Sequence, residues 1–126
     1  MWLAGDRHWT YAPVATSLDE VKSKFERHVL LDGQVRFLAG WFQHTLPSAP
    51  VERLAVLRLE IDMYKSTIVA LRSLYPKSPV GGYLIVDGYS NAPGCKKAVD
   101  DFRREQDITE DLRVVDYRGV FWQRVR

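Results

Sequence analysis

Between residues 53 and 106, short apolar runs alternate with longer amphipathic segments. This alternation constrains the chain more than any other feature, because strand–helix–strand repeats build α/β sheets. "RLAVLRL" (53–59) is a mostly apolar strand of the kind expected when both sheet faces are covered. "MYKSTIVALRSLY" (63–75) places Ile68, Leu71 and Tyr75 at helical spacing, and Pro76 stops the helix. "GGYLIVDGY" (81–89) reads as a tight glycine turn and a strand over Tyr83 to Val86, with Asp87 at its end. "APGCKKAVDDFRREQ" (92–106) is a second amphipathic helix with Val99 and Phe102 inward. Its Lys96–Asp100 and Lys97–Asp101 pairs lie four residues apart, the spacing of helical ion pairs.

The flanking segments extend this pattern. Residues 1–16 have no periodicity and read as a loop; the α/β portion spans 17–126. In "SLDEVKSKFERHVL", Ser17 and Glu20 stand at the spacing of a capping box, and Leu18, Val21 and Phe25 line one helical face. "QVRFLAG" (34–40) alternates as a short strand does, and "WFQHTLPSAP" is a brief turn or helix. The closing "LRVVDYRGVFWQRVR" forms two alternating runs about Arg118-Gly119, a hairpin signature. The expected fold class is therefore α/β, a mostly parallel sheet with a C-terminal antiparallel hairpin.

Bulk properties narrow the class without naming a function. A length of 126 residues fits one domain, and 46% hydrophobic with 27% charged residues is an ordinary globular balance. The net charge of +2 is spread among interleaved acids and bases, which makes no electrostatic case for nucleic acid. A single cysteine, Cys95, forbids an intramolecular disulfide and fits a reducing compartment. No apolar stretch approaches a membrane span, and the N-terminus lacks a signal-peptide core, so the expected location is the cytoplasm, with neither membrane nor nucleic acid as partner.

Glu60 and Asp87 each end a strand that precedes a helix, so both point to the crevice where α/β proteins bind ligands. Two carboxylates there repel unless compensated. A divalent cation such as Mg²⁺ is one answer, and bound to a hydroxyl it lowers that hydroxyl's pKa. Solvated strand ends are the competing reading for Glu60 and Asp62, with Asp62 as a helix cap, and a simple turn former is the competing reading for Asp87. His8, His28 and His44 have no zinc-site spacing. His8 alone is considered as a base near neutral pH, against a purely structural role. Cys95, at a helix start with no visible base partner, reads as an inert thiol.

The blocks "DRHWTY" (6–11), residues 17–50, "LAVLRLEIDMYKST" (54–67), "LYPKSPVGGYLIVDGY" (74–89) and "PGCKKAVDDFR" (93–103) resemble the macrocin O-methyltransferase family. That resemblance implies a class I, Rossmann-like methyltransferase fold using S-adenosylmethionine and Mg²⁺ on a sugar hydroxyl. It implies metal ligation by Glu60 and Asp87, catalytic roles for His8 and Glu60, and contact of the cofactor adenine with Trp41 and Phe42. Asp62 matches a second family aspartate. Where the family reads close to "LRLDGDMYEST" and "IVDDY", this chain has Glu60, Ile61 and Gly88, and Gly88 replaces an acid.

By this resemblance the chain is expected to correspond to the family's C-terminal part, without the glycine-rich first strand or the ribose-binding acid of the second. Its 34–40 segment matches the family's third strand. In the usual order 3-2-1-4-5-7-6 that strand has no native neighbour, while strands four, five, seven and six can still form one sheet. The expectation is a truncated O-methyltransferase with a small glycoside acceptor, inactive alone. The alternative is a non-catalytic remnant or interaction module that completes its sheet with a partner, either a second copy or a complementary chain.

Overall fold

The computed structural model describes residues 16–126. Helix α1 (Leu18–Arg27) starts as its capping box predicts: Glu20 N–H donates to Ser17 Oγ, and Ser17 N–H donates to Glu20 Oε2 at 2.7 Å. None of its residues is fully buried; Phe25 meets Phe37 edge-on at 5.5 Å between ring centroids. The expected strand over 34–40 does not form. Val35 and Phe37 do alternate inward, but no strand among the described residues lies beside this segment to pair with its backbone. One helical turn, α2 (Phe42–Thr45), follows.

The βαβ core then runs β1 (Val56–Leu59), α3 (Tyr64–Leu74), β2 (Tyr83–Val86) and α4 (Pro93–Glu105), closed by β3 (Arg113–Val114) and β4 (Val120–Gln123). Proline in the first turn of α4 costs no hydrogen bond there. The sheet order is β1-β2-β4-β3, the contiguous four-strand arrangement expected for the C-terminal part of the family fold.

The sheet is mixed, not mostly parallel. β1 and β2 pair in parallel, whereas β4 runs antiparallel to both β2 and β3. A turn of five residues between β3 and β4 forces their antiparallel pairing. β4 then enters between β2 and β3, so the reversed strand lies inside the sheet and not at its edge.

Burial also differs from the expected two-sided cover. Leu57 and Leu59 of β1, Leu84 and Val86 of β2, and Val120 and Trp122 of β4 turn to one face. There they join Ile68 and Leu71 of α3 and Ala98, Val99 and Phe102 of α4 in one core. The opposite face carries Val56, Arg58, Tyr83 and Gln123, all exposed. β1 therefore alternates like any half-buried strand, because α3 and α4 cover one face only. No helix among the described residues is long and apolar enough to cross a membrane.

Candidate functional site

The parallel register sets the site. Leu59 pairs with Val86, and the ladder continues as Asp87 N–H donates to Leu59 O at 2.9 Å. One residue further, Glu60 falls beside Asp87. Because side chains alternate along a strand, Arg58 and Glu60 share the face opposite Leu57 and Leu59. Arg58 Nη2 donates to Glu60 Oε1 at 2.5 Å and to Asp87 Oδ2 at 2.9 Å, so one guanidinium clasps both carboxylates.

A cleft of about 210 Å³ opens beyond these strand ends, lined by Glu60, Asp62, Asp87, Gly88, Asn91 and Arg118. Three elements build it. The β1–α3 connection brings Asp62, the β2–α4 loop brings Gly88 and Asn91, and the β3–β4 turn brings Arg118. That turn is held by Asp116 Oδ1, which accepts from the N–H groups of Arg118 and Gly119 at 2.8 Å each. It is tied to the β2–α4 loop where Ser90 N–H donates to Arg118 O at 2.9 Å.

The backbone at Gly88 is closely approached by the β1–α3 connection. A Cβ there would lie 2.9 Å from Asp62 Oδ1 and 3.1 Å from Ile61 O. Asp62 consequently faces the cleft and does not cap α3: Met63 is the N-cap, with no side-chain capping bond. Asp87 is held below the usual carboxylate range, first by hydrogen bonding with Glu60 and next by the Arg58 guanidinium. Exposed ion pairs contribute on the order of 1 kcal/mol or less, so the clasp matters more for charge balance than for stability.

The sequence-predicted residues are distributed unevenly. Glu60 and Asp87 meet at the cleft as expected, with Asp62 beside them. Trp41 is 69% exposed at the start of α2, and Phe42 packs at the edge of the core; neither lines this cleft. His8 lies outside the described residues. Cys95 is fully buried, and burial pushes its thiol up to about 11, in keeping with an inert thiol. Sequence reading overlooked Arg58, although its two-residue spacing from Glu60 was the signal. Asn91 and Arg118 had no comparable signal, since only the folded loops bring them in.

Mg²⁺ takes near-octahedral oxygen coordination. Among the described residues no group of three or more His, Cys, Asp or Glu side chains is arranged to hold a metal ion. Two of the available carboxylates already share a guanidinium, and position 88 offers no oxygen-bearing side chain. The residues as arranged do not fit a preformed Mg²⁺ site.

The Macrocin-O-methyltransferase (TylF) profile matches residues 3–124. Demethyldecarbamoylnovobiocin O-methyltransferase of Streptomyces niveus is 51% identical over 98% of this chain and 48% of its own length. Mycinamicin III 3''-O-methyltransferase of Micromonospora griseorubida is 46% identical over 86% of this chain and 42% of its own length. The structure of the O-methyltransferase NovP superposes with a TM-score of 0.93 at 50% identity, covering 98% of this chain and 52% of that one. CalS11, a TDP-rhamnose 3'-O-methyltransferase of calicheamicin biosynthesis, shares the fold, with a TM-score of 0.65 at 21% identity over 83% of this chain and 51% of that one. The chain spans about half the length of the curated relatives it matches. On the profile match and these identities, the chain belongs to the macrocin O-methyltransferase family.

Proposed function

We propose that this chain forms the acceptor-side portion of an S-adenosylmethionine-dependent O-methyltransferase acting on a sugar hydroxyl of a glycosylated natural product. The observation that carries the reading is the carboxylate cleft at the ends of two parallel strands, in a chain 51% identical to a demethyldecarbamoylnovobiocin O-methyltransferase. S-adenosylmethionine supplies an electrophilic methyl group on sulfur. Trp41 presents an exposed indole on which its adenine can stack.

The chain's own residues would receive and orient the acceptor. Glu60, Asp62 and Asp87 offer hydrogen-bond acceptors for sugar hydroxyls, and Arg118 offers donors. His8 would take the proton of the reacting hydroxyl, assisted by Glu60. The hydroxyl oxygen then forms its bond to the methyl carbon as the carbon–sulfur bond breaks. No step is assigned to Mg²⁺, given the donor set.

The test is transfer of radiolabelled methyl from S-adenosylmethionine by the purified chain to demethyldecarbamoylnovobiocin and mycinamicin III, the acceptors for which its relatives are named. Label in the acceptor supports the reading. A folded chain that neither binds the donor in equilibrium dialysis nor transfers label overturns it as an autonomous activity.

The exposed sheet face favours a second reading, an interaction module that joins a partner chain. Val56 is 53% and Tyr83 41% exposed there, with Tyr83 and Phe121 rings 6.4 Å apart. A sedimentation series that shows a monomer at every concentration removes the version in which a second copy is the partner.

A further inference from the structure

We propose that Arg58 is the built-in counter-charge of the strand-end cleft, offsetting one of the two charges of Glu60 and Asp87 in place of a bound cation. The mismatch between the donor set and octahedral coordination is the starting point. A single nitrogen, Nη2, reaches both carboxylates, at 2.5 and 2.9 Å. An arginine cannot step aside by deprotonating, so the positive charge is permanent. Asp87 is the shielded member, with its side chain 17% exposed, while Arg58 and Glu60 lie open at 58% and 64%.

Gly88 supplies no side-chain oxygen. The space that a side chain would need at 88 is already bounded by Asp62 Oδ1, Ile61 O and Cys95 Sγ, the last at 3.4 Å from a Cβ. A side chain at 88 would require Asp62 to shift, and this chain places no carboxylate there. Arg118 adds a second guanidinium to the cleft lining. A divalent cation would therefore have to displace one fixed charge from two oxygens and approach another, with too few ligands to compensate. Arg58 is in this account a positioning residue: it holds the two carboxylates side by side without any bound ion.

This inference rests on the same cleft as the proposed function, but cation binding is read without turnover, so either can fail alone. Mn²⁺ is titrated into the wild-type chain and the Arg58→Gln and Arg58→Lys variants, with free Mn²⁺ followed by electron paramagnetic resonance and folding checked by circular dichroism. Arg58 is exposed, so its substitution leaves the core intact, and the wild-type titration stands without the variants. Wild-type protein is expected to bind more weakly than roughly 1 mM, the loosest range of protein cation sites. Arg58→Gln is expected to tighten binding by about tenfold or more, and Arg58→Lys, which keeps the charge, to stay near wild type. Submillimolar saturation of the wild type overturns the proposal. So does an Arg58→Gln affinity no tighter than wild type, or an Arg58→Lys variant that tightens as much as Arg58→Gln.

Discussion

Tyr89 donates its hydroxyl hydrogen to Asp100 Oδ1 at 2.7 Å, fastening the loop that carries Gly88 and Asn91 to the side of α4. Lys96 binds the same carboxylate at 2.6 Å and lies over the Tyr89 ring, 4.9 Å from its centroid. The pairing gives the cleft loop a fixed support on a helix that is itself anchored by Val99 and Phe102.

Removing that hydroxyl has a definite expected outcome. Tyr89→Phe keeps the ring and the cation contact but loses one hydrogen bond to a charged acceptor. It should lower stability by about 1–2 kcal/mol in chemical denaturation, with the far-ultraviolet spectrum unchanged. An unchanged denaturation midpoint would show that water replaces the hydroxyl at no cost.

The one-sided sheet predicts a sharp contrast along adjacent elements. Leu71 is fully buried between α3 and the sheet, so Leu71→Ala should cost about 2–5 kcal/mol through lost contacts and a cavity. Val56, on the open face, should tolerate Val56→Ala within about 0.5 kcal/mol. Equal losses at the two positions would mean that the outer face is covered in solution.

Much of this fold could be read from residue order, and the exceptions have identifiable causes. The capping box at Ser17 and Glu20, the βαβ core and the closing hairpin depend on local spacing, and they form as expected. The 34–40 segment alternates correctly, yet a strand needs a neighbour's backbone, which residue patterns within the segment cannot supply. The apolar run "RLAVLRL" suggests two-sided burial, whereas Arg58 at an outward position marks alternation. In the cleft, Glu60 and Asp87 were legible as strand ends, and Arg58 was legible in principle from its two-residue offset. Arg118 was not, because its place depends on β4 entering beside β2 and carrying the hairpin turn to Asp87.

Cys95 should react slowly despite its place in the first turns of a helix. Burial raises its thiol from 9.0 to about 11, outweighing the hydrogen bond with Thr67. At about pH 8 the thiolate fraction is then roughly one in a thousand, about 100-fold below that of an unperturbed thiol with the 9.0 value. Disulfide-exchange reagents should label the native protein at least about 100-fold more slowly than the urea-unfolded chain. Comparable rates would indicate that the α4 start opens readily.

Asp101 should make stability sensitive to acid. Lys97 Nζ donates to its Oδ2 at 2.6 Å, Tyr64 OH to the same oxygen at 3.0 Å, and Arg104 Nη1 to Oδ1 at 3.1 Å. The Lys97 bond is the largest cause that holds the carboxyl below its ordinary value of 3.8, ahead of the Tyr64 and Arg104 bonds. A depressed folded-state pKa means that the unfolded chain binds the proton first as pH falls. The stabilising contribution is therefore complete above the unfolded value and is lost as pH drops through the folded one. Asp101→Asn lacks the titrating group. The stability gap between wild type and variant, from urea denaturation, should be constant between about pH 7 and pH 5 and should narrow towards about pH 2–3. A gap of constant size across that whole range would show that the Lys97–Asp101–Tyr64 contacts do not persist in solution.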